Sequence, residues 1–251
     1  MQSVCRNSSV NCEKHLARLF YWLEWQSKHS FSQMMTFFIN PYSYFKLRKR
    51  NYFAICDRIF LDGILITLIV NFIYKTSFKR KSFDSTSIAI NVFQDGVNLK
   101  KSFFFIGAKA KEIFAFSKLL NNSFPGIEIR GCHSGFFTDN RMRYDLLSRI
   151  VLEKPEIVIV GTGSPAQEKF LIDLRKAGFK GTSFSCGAFF SQTTCTLNYY
   201  PVFFNKLNLR WLYRSFSSYR LFFRYYFIYP VAVFFLLKDI FFNVFPIEKI
   251  K

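Results

Sequence analysis

Between residues 102 and 190 the chain repeats one unit. An apolar run of strand length ends in glycine, and a segment follows whose apolar residues recur at helical spacing. The units are 102-SFFFIGAKAKEIFAFSKLL-120, then 126-GIEIRGCHSGFF-137 with 139-DNRMRYDLLSRIVLEKP-155, then 156-EIVIVGTGSPAQEKFLIDLRKAG-178, and 182-TSFSCGAFF-190 is a further strand running into glycine. Strands separated by helices pair in parallel through crossovers, so this order predicts an α/β domain with a mostly parallel sheet flanked by helices. Ligands of such sheets sit beyond the carboxyl ends of the strands. The residues at those ends are the first candidates for a site: Asp62, Gly107, His133, the loop from Gly163 through Ser164 to Gln167, and Gly187.

Upstream, Asn40-Pro41 opens a basic helix, and 58-RIFLDG-63 is a strand ending in Asp-Gly. Its successor, 64-ILITLIVNFIY-74, has the length and position of a buried helix. Residues 1–30 form an extension without an assigned role, although 14–29 has helix-like spacing, and residues 31–202 form the α/β domain. From 203 to 251 the chain becomes an aromatic, basic appendage. At about 100° per residue, Arg210, Arg214, Arg220 and Arg224 fall within about a third of a helix circumference, away from Phe216, Tyr219 and Phe223. Cations on one side and rings on the other suit a helix lying in a membrane interface. The uncharged run 225-YYFIYPVAVFFLL-237 falls short of the roughly 20 residues a crossing needs, so lying in the plane is favoured over spanning. The alternative is a helix packed on the domain or on a sister subunit, and the apolar tail makes a homo-oligomer a candidate partner state.

The net charge is +19, from 35 Lys and Arg against 16 acidic residues, and there are 35 Phe. Such a chain suits an anionic partner, whether phospholipid, phosphate-bearing substrate or nucleic acid; a compositional bias toward Lys and Phe is the plainer explanation. Nothing resembles an RNP, KH or helix-turn-helix signature, which argues against nucleic acid. The six cysteines form no C-x-x-C pair, the three histidines are dispersed, and no Asp-x-Asp signature appears, so no metal site is expected. The first twenty residues carry no apolar signal region, which points to a reducing cytoplasm.

The loop 161-GTGSPAQEK-169 is neither a P-loop nor a dinucleotide fingerprint, because no Gly-Lys-Ser/Thr follows and the third glycine position is Ala166. Locally, Ser164 as N-cap, Pro165 at the first helical position and Gln167 three residues on make a capping box. The same helix start would face an anionic or sugar ligand with free N–H groups. Asp62 is either a general base toward a substrate hydroxyl or a turn aspartate. His133 is either a ligand contact or a structural histidine.

The ordered set carries more than its parts. It runs Asn40-Pro41, Asp62-Gly63, Gly107, Gly131-x-His133-x-Gly135-x-Phe137, Gly161-x-Gly163-Ser164-Pro165-x-Gln167-Glu168-Lys169, Gly187-Ala188-Phe189, 209-LRWLYR-214 and 220-RLFFRYY-226. This set resembles the WecG/TagA/CpsF family of bacterial glycosyltransferases over roughly residues 35–228, most specifically from Ile129 to Tyr226, with residues 1–30 outside the resemblance.

The resemblance implies a Rossmann-like domain that uses a UDP-sugar donor and a polyprenyl-diphosphate-linked acceptor at the cytoplasmic membrane face. Transfer would invert the anomeric centre without a bound metal. It would move N-acetylmannosamine, its uronic acid or a related hexose into teichoic acid, enterobacterial common antigen or exopolysaccharide. By that resemblance Asp62 is the base and Gln167 a sugar or nucleotide contact. Asn40, Gly107, His133, Gly163, Ser164 and Gly187 belong to the substrate site. Lys79 or Arg80 supplies the cation for the leaving diphosphate, with Asp84 keeping the spacing of the family's Arg-x-x-Gly-x-Asp segment. Arg214, Arg220 and Arg224 bind the lipid diphosphate or headgroups. The chain departs from the family pattern at Phe38 (usually Thr), Ser82 (Gly) and Arg210 (Glu). A diverged, inactive member that binds nucleotide-sugar or lipid is the alternative reading.

Overall fold

The computed structural model describes residues 33–194 and 219–251; Arg210, Arg214, Phe216 and the extension before residue 33 lie outside the described residues. Six strands form one sheet: β1 (Met35–Ile39), β2 (Arg58–Leu61), β3 (Ser102–Gly107), β4 (Glu128–His133), β5 (Ile157–Gly161) and β6 (Thr182–Ser185), in the order β2-β1-β6-β5-β3-β4. Every ladder is parallel. The helices are α1 (Pro41–Leu47), α2 (Tyr52–Ile55), α3 (Ile64–Tyr74), α4 (Ala89–Asn98), α5 (Ala110–Ser123), α6 (Asn140–Glu153), α7 (Ala166–Lys176), α8 (Phe189–Gln192) and α9 (Tyr219–Phe241). The strand–glycine–helix units all form as the repeat predicts. Four elements have no counterpart in the sequence reading, β1, α2, α4 and α8. A strand buried on both faces, such as Met35–Ile39, shows no alternation to detect.

Alternate residues of each strand feed two core layers. Ile59, Leu61, Phe104 and Ile106 join α1, α3, α6, α7 and α9 in one layer. Phe60, Phe103, Phe105 and Phe184 join α4, α5 and α8 in the other. Phe supplies eleven of the nineteen buried residues in that second layer, among them Phe93, Phe105 and Phe116, whose rings meet edge to face or tilted. Among the described residues sixteen Phe are buried, so much of the phenylalanine excess is core material. Gly96 of α4 lets that helix approach β3, because a Cβ there would lie 2.3 Å from the Phe103 ring.

Helix α9 runs 23 residues without a break, through Arg224 and Pro230. By length and composition it is long and apolar enough to cross a membrane, which corrects the shorter run counted from the sequence. Its second half nevertheless packs on the domain through Ala232, Leu236 and Ile240, and it seats a buried carboxylate there. Asp239 accepts a two-pronged bond from Arg48 of α1, at 2.6 Å from Nε with the second prong from Nη2, and another from the Tyr44 hydroxyl at 2.8 Å. Beyond α9, Phe245 and Ile250 enter the same layer, Lys251 N–H donates to the Ile59 carbonyl at 3.1 Å, and the tail covers part of the free edge of β2.

Burial pushes the Asp239 pKa up, but the bonds from Arg48 and Tyr44 outweigh it and hold the carboxyl below the ordinary aspartate range. The pair therefore stabilises the fold above that range and loses its contribution as pH falls through and below it. Asp239→Ala leaves Arg48 without its carboxylate, and a loss of about 3 kcal/mol is expected at neutral pH. Urea unfolding at pH 7 and pH 3 checks this: the gap between wild type and variant should shrink at the lower pH.

Candidate active site

Because every strand points the same way, the candidate residues line one edge of the sheet. Ile39 pairs with Leu61, so Asn40 and Asp62 leave β1 and β2 side by side, and Asp62 N–H donates to the Ile39 carbonyl at 2.7 Å. Asn40 is the N-cap of α1: its side chain accepts from Ser43 N–H, and the Ser43 hydroxyl accepts from Asn40 N–H. The Asp62 carboxylate is about a third exposed, with Arg80 Nη2 at 4.0 Å from Oδ1.

Arg80 is held there by its own segment. Lys81 N–H donates to the Leu61 carbonyl at 3.0 Å, which fixes residues 79–84 along the end of β2. Arg80 donates to the Ser82 hydroxyl at 2.6 Å and lies 3.5 Å from Asp84, which also accepts from the Thr86 N–H and hydroxyl. Ser82 thus links Arg80 to Asp84 in place of the family's glycine, and Asp84 organises the loop. Lys79 is exposed, so the cation placed beside Asp62 is Arg80. Lys81 lies with its ammonium 4.7 Å over the Phe60 ring, and burial, with Arg58 and Lys79 nearby, lowers its pKa. Phe38, where the family has Thr, turns into the second core layer against Phe60 and Phe83.

The middle of the row differs from the sequence expectation. The helix begins at Ala166, Pro165 is its N-cap without a side-chain bond, and the Ser164–Pro165 peptide is cis, so Ser164 and Gln167 form no capping box. Ser164 donates instead to Glu168 Oε2 at 2.9 Å, and Gln167 donates to Glu168 Oε1 at 2.8 Å. Gln167 also accepts from Gly187 N–H at 3.0 Å, which ties the β5–α7 loop to the β6–α8 loop. Gln167 is 3% and Glu168 0% exposed, so both side chains hold the two loops in register from within. Burial pushes the Glu168 pKa up against the lowering bonds from Gln167 and Ser164. Gly163 and Gly187 have φ of +81° and +62°, and a Cβ at either would meet only open space, so the backbone lines the crevice bare. The Thr162 hydroxyl is buried without a hydrogen-bond partner.

Gly107 lets the end of β3 pack closely on β5: a Cβ there would lie 2.6 Å from the Gly161 carbonyl oxygen. β3 leads into α5 on one face of the sheet and β5 into α7 on the other, which makes their junction a topological switch point. His133 at the end of β4 donates from Nδ1 to the Ser134 carbonyl at 2.7 Å and stacks on Phe137, which stacks on Phe170. With strands about 4.8 Å apart, Asp62 lies about 14 Å from the β5 loop and about 24 Å from His133. The structure therefore gathers Asn40, Asp62 and Arg80 at one end, and Gly107, Gly163, Ser164, Gln167 and Gly187 in the middle, with His133 at the far margin. Arg220 is exposed on α9, while the Arg224 guanidinium lies 4.1 Å over the Tyr42 ring, two residues past Asn40. A hollow of about 350 Å³ lined by Asp57 and Arg175 opens at the amino ends of the strands, and its two charges pair with each other, so it is not part of this row.

Sequence reasoning missed Glu168, Thr162, Lys81 and Tyr42. Glu168 stood inside the quoted motif, but nothing in a sequence distinguishes a buried first-turn glutamate from an exposed one. Among the described residues no group of three or more His, Cys, Asp or Glu gathers.

Bare backbone at the switch point and a carboxylate–guanidinium pair at one end lie where doubly wound sheets bind their ligands. The model of the glycosyl transferase WecG/TagA/CpsF family matches residues 6–244, so most of the extension before residue 30 lies inside the resemblance rather than outside it. The chain belongs to this family of glycosyltransferases. It is 37% identical over 177 residues to a UDP-Gal:alpha-D-GlcNAc-diphosphoundecaprenol beta-1,4-galactosyltransferase of Shigella boydii, covering 70% of this chain and 74% of that one. It is also similar to N-acetylglucosaminyldiphosphoundecaprenol N-acetyl-beta-D-mannosaminyltransferases of Bacillus spizizenii and Bacillus subtilis. The first is 28% identical over 64% of this chain and 61% of that protein, the second 26% over 70% and 68%.

The Glu168 shift has a sign. A carboxyl whose folded pKa is raised costs the fold stability as pH rises from the ordinary carboxylate range toward neutrality. Glu168→Gln removes that dependence, so wild type should lose more stability than the variant between pH 4 and pH 7, read from urea midpoints. Parallel profiles would show that burial does not govern this carboxyl.

Proposed function

We propose that this chain transfers a hexose from a UDP-sugar to a sugar on an undecaprenyl-diphosphate-type lipid, with inversion at the anomeric carbon, during synthesis of a bacterial surface polysaccharide. The observation that carries the reading is the placement of Asp62, with Arg80 at 4.0 Å and Asn40 beside it, at one end of a glycine-lined switch-point crevice. The acceptor hydroxyl oxygen attacks the anomeric carbon as Asp62 takes its proton, and the bond from that carbon to the UDP oxygen breaks. Arg80, with Lys79 on the same segment, offsets the charge that develops on the leaving diphosphate. Gly163 and Gly187 offer close backbone contacts to the donor. Gln167 and Glu168 act as positioning residues that set the distance between the two loops.

The higher identity to a galactosyltransferase supports UDP-galactose as the first donor to try. The β linkage in the relatives' names is what inversion of an α-linked nucleotide sugar yields. The departures at Phe38 and Ser82 are accommodated by the fold, since one side chain points into the core and the other orders Arg80. Peripheral seating on the inner leaflet is supported by α9: the Asp239–Arg48–Tyr44 cluster holds its second half on the domain, and a crossing would have to break it. The exposed rings of Phe223, Phe227 and Phe234 then face lipid. Side-chain cations are assigned the role at the diphosphate, so transfer is expected to continue in chelator.

Asp62→Asn keeps the shape and removes the base. Mass analysis of the product from UDP-galactose and a short-chain polyprenyl-diphosphate-GlcNAc acceptor is expected to show kcat about 10²–10⁴-fold lower, with unchanged melting. Turnover near the wild-type rate would overturn the assignment of Asp62.

A further inference from the structure

Helix α3 is built inside out. Its two polar side chains are used internally: the buried Thr67 hydroxyl donates to the Gly63 carbonyl at 2.8 Å, and Asn71 both accepts from Phe78 N–H and donates to the Phe78 carbonyl, each at 2.9 Å. Ile66 and Val70 enter the core. The outward side is entirely apolar: Leu65 is 41%, Leu68 57%, Phe72 86% and Ile73 40% exposed. The sequence alone reads this segment as a buried helix, and the structure corrects that, since only one face of it is covered. A water-facing helix carries polar residues on its outer side, and a contiguous apolar row marks a surface that is covered in use.

We infer that α3 is a membrane-docking helix that seats Leu65, Leu68, Phe72 and Ile73 in an anionic lipid leaflet and so presents Asp62, at its amino-terminal end, to an acceptor carried by that leaflet. This rests on the reading of a lipid-linked acceptor given above. Three observations select lipid as the occupant. No acidic residue occurs between Asp62 and Asp84, while Lys75, Lys79, Arg80 and Lys81 follow the helix closely, with Lys75 and Lys79 exposed; that charge complements anionic headgroups. The end of α3 meets the segment just beyond α9, where Tyr74 stacks on Phe245 at 6.2 Å, and the neighbours of Phe245 in the chain, Phe241, Phe242 and Val244, are exposed apolar residues. A second copy would need about 800 Å² and 20–30 residues on each side, whereas α3 offers four side chains. At eleven residues, about 16 Å, the helix is too short to cross a hydrocarbon core of about 30 Å and lies in its plane.

The test uses the full chain with phosphatidylethanolamine–phosphatidylglycerol vesicles and compares Leu68→Glu/Phe72→Glu with Phe234→Glu/Phe241→Glu on α9. The α3 variant is expected to lose about ten-fold or more in vesicle partitioning and in transfer to a vesicle-embedded undecaprenyl acceptor. Its transfer to a short-chain, water-soluble acceptor and its melting should be unchanged. Phe72→Trp, which keeps an apolar side chain, should bind as wild type and add fluorescence that brominated lipids quench, a readout independent of the charged variant's folding. Unchanged partitioning of the α3 variant beside loss in the α9 variant overturns the inference while leaving peripheral binding intact. No vesicle binding by wild type would overturn both. A shift from dimer to monomer, or altered proteolysis within 195–218, without any change in vesicle binding, would assign the face to a second copy or to the chain itself and equally overturn the inference.

Discussion

The whole arrangement depends on the sheet being parallel. A parallel strand cannot turn back to its neighbour without a crossover, and the crossover helices cover both faces, so the row of strand ends is where chemistry has room. In this chain six strands deliver Asp62, Asn40, Gly187, the Gly163–Gln167 loop, Gly107 and His133 to one edge in that order. About 14 Å separates the carboxylate from the bare-backbone loop, a span suited to an extended sugar nucleotide lying along the edge.

Two polar clusters keep that edge in shape, and they work differently. The Ser164–Glu168–Gln167–Gly187 cluster is buried and holds two loops together with neutral donors to one carboxyl. Its value lies in satisfaction: Ser164, Gln167 and Glu168 each find a partner within it, and removal of any one strands another in a low-dielectric site. The Arg80–Ser82–Asp84 cluster is partly open, and it holds Arg80 4.0 Å from Asp62. The C-terminal helix belongs to the same design, because Asp239 fastens it to Tyr44 of α1 and to Arg48, the C-cap of α1, and near the other end of α9 Arg224 rests on Tyr42.

Much of this was legible in the sequence, for physical reasons. The glycine after each strand and the helical spacing beyond it follow from the crossover geometry, so β3 to β6 and their helices could be read directly. Asp62 and Gly187 were found because a strand end is visible as a change of residue type. β1 was not, since a strand covered on both sides has no alternation, and α4 was passed over between clearer signals. The capping box at Ser164 was a local inference that tertiary contacts overrode: Gln167 found Gly187, twenty residues on, and a buried carboxyl beside it. The exposure of α3 was equally hidden, because an apolar segment reads the same whether protein or lipid covers it. Arg80 rather than Lys79 faces Asp62 because the Lys81 amide pairs with Leu61, a register that spacing alone does not fix.

The central claim is that this edge performs one inverting displacement on a sugar nucleotide. The most direct measurement is the anomeric configuration of the product by NMR after incubation with UDP-galactose and a GlcNAc-diphospho-polyprenol acceptor. The account predicts a single β-linked hexosyl product with one UDP released per transfer. An α-linked product, or UDP release with no sugar on the lipid, would contradict it.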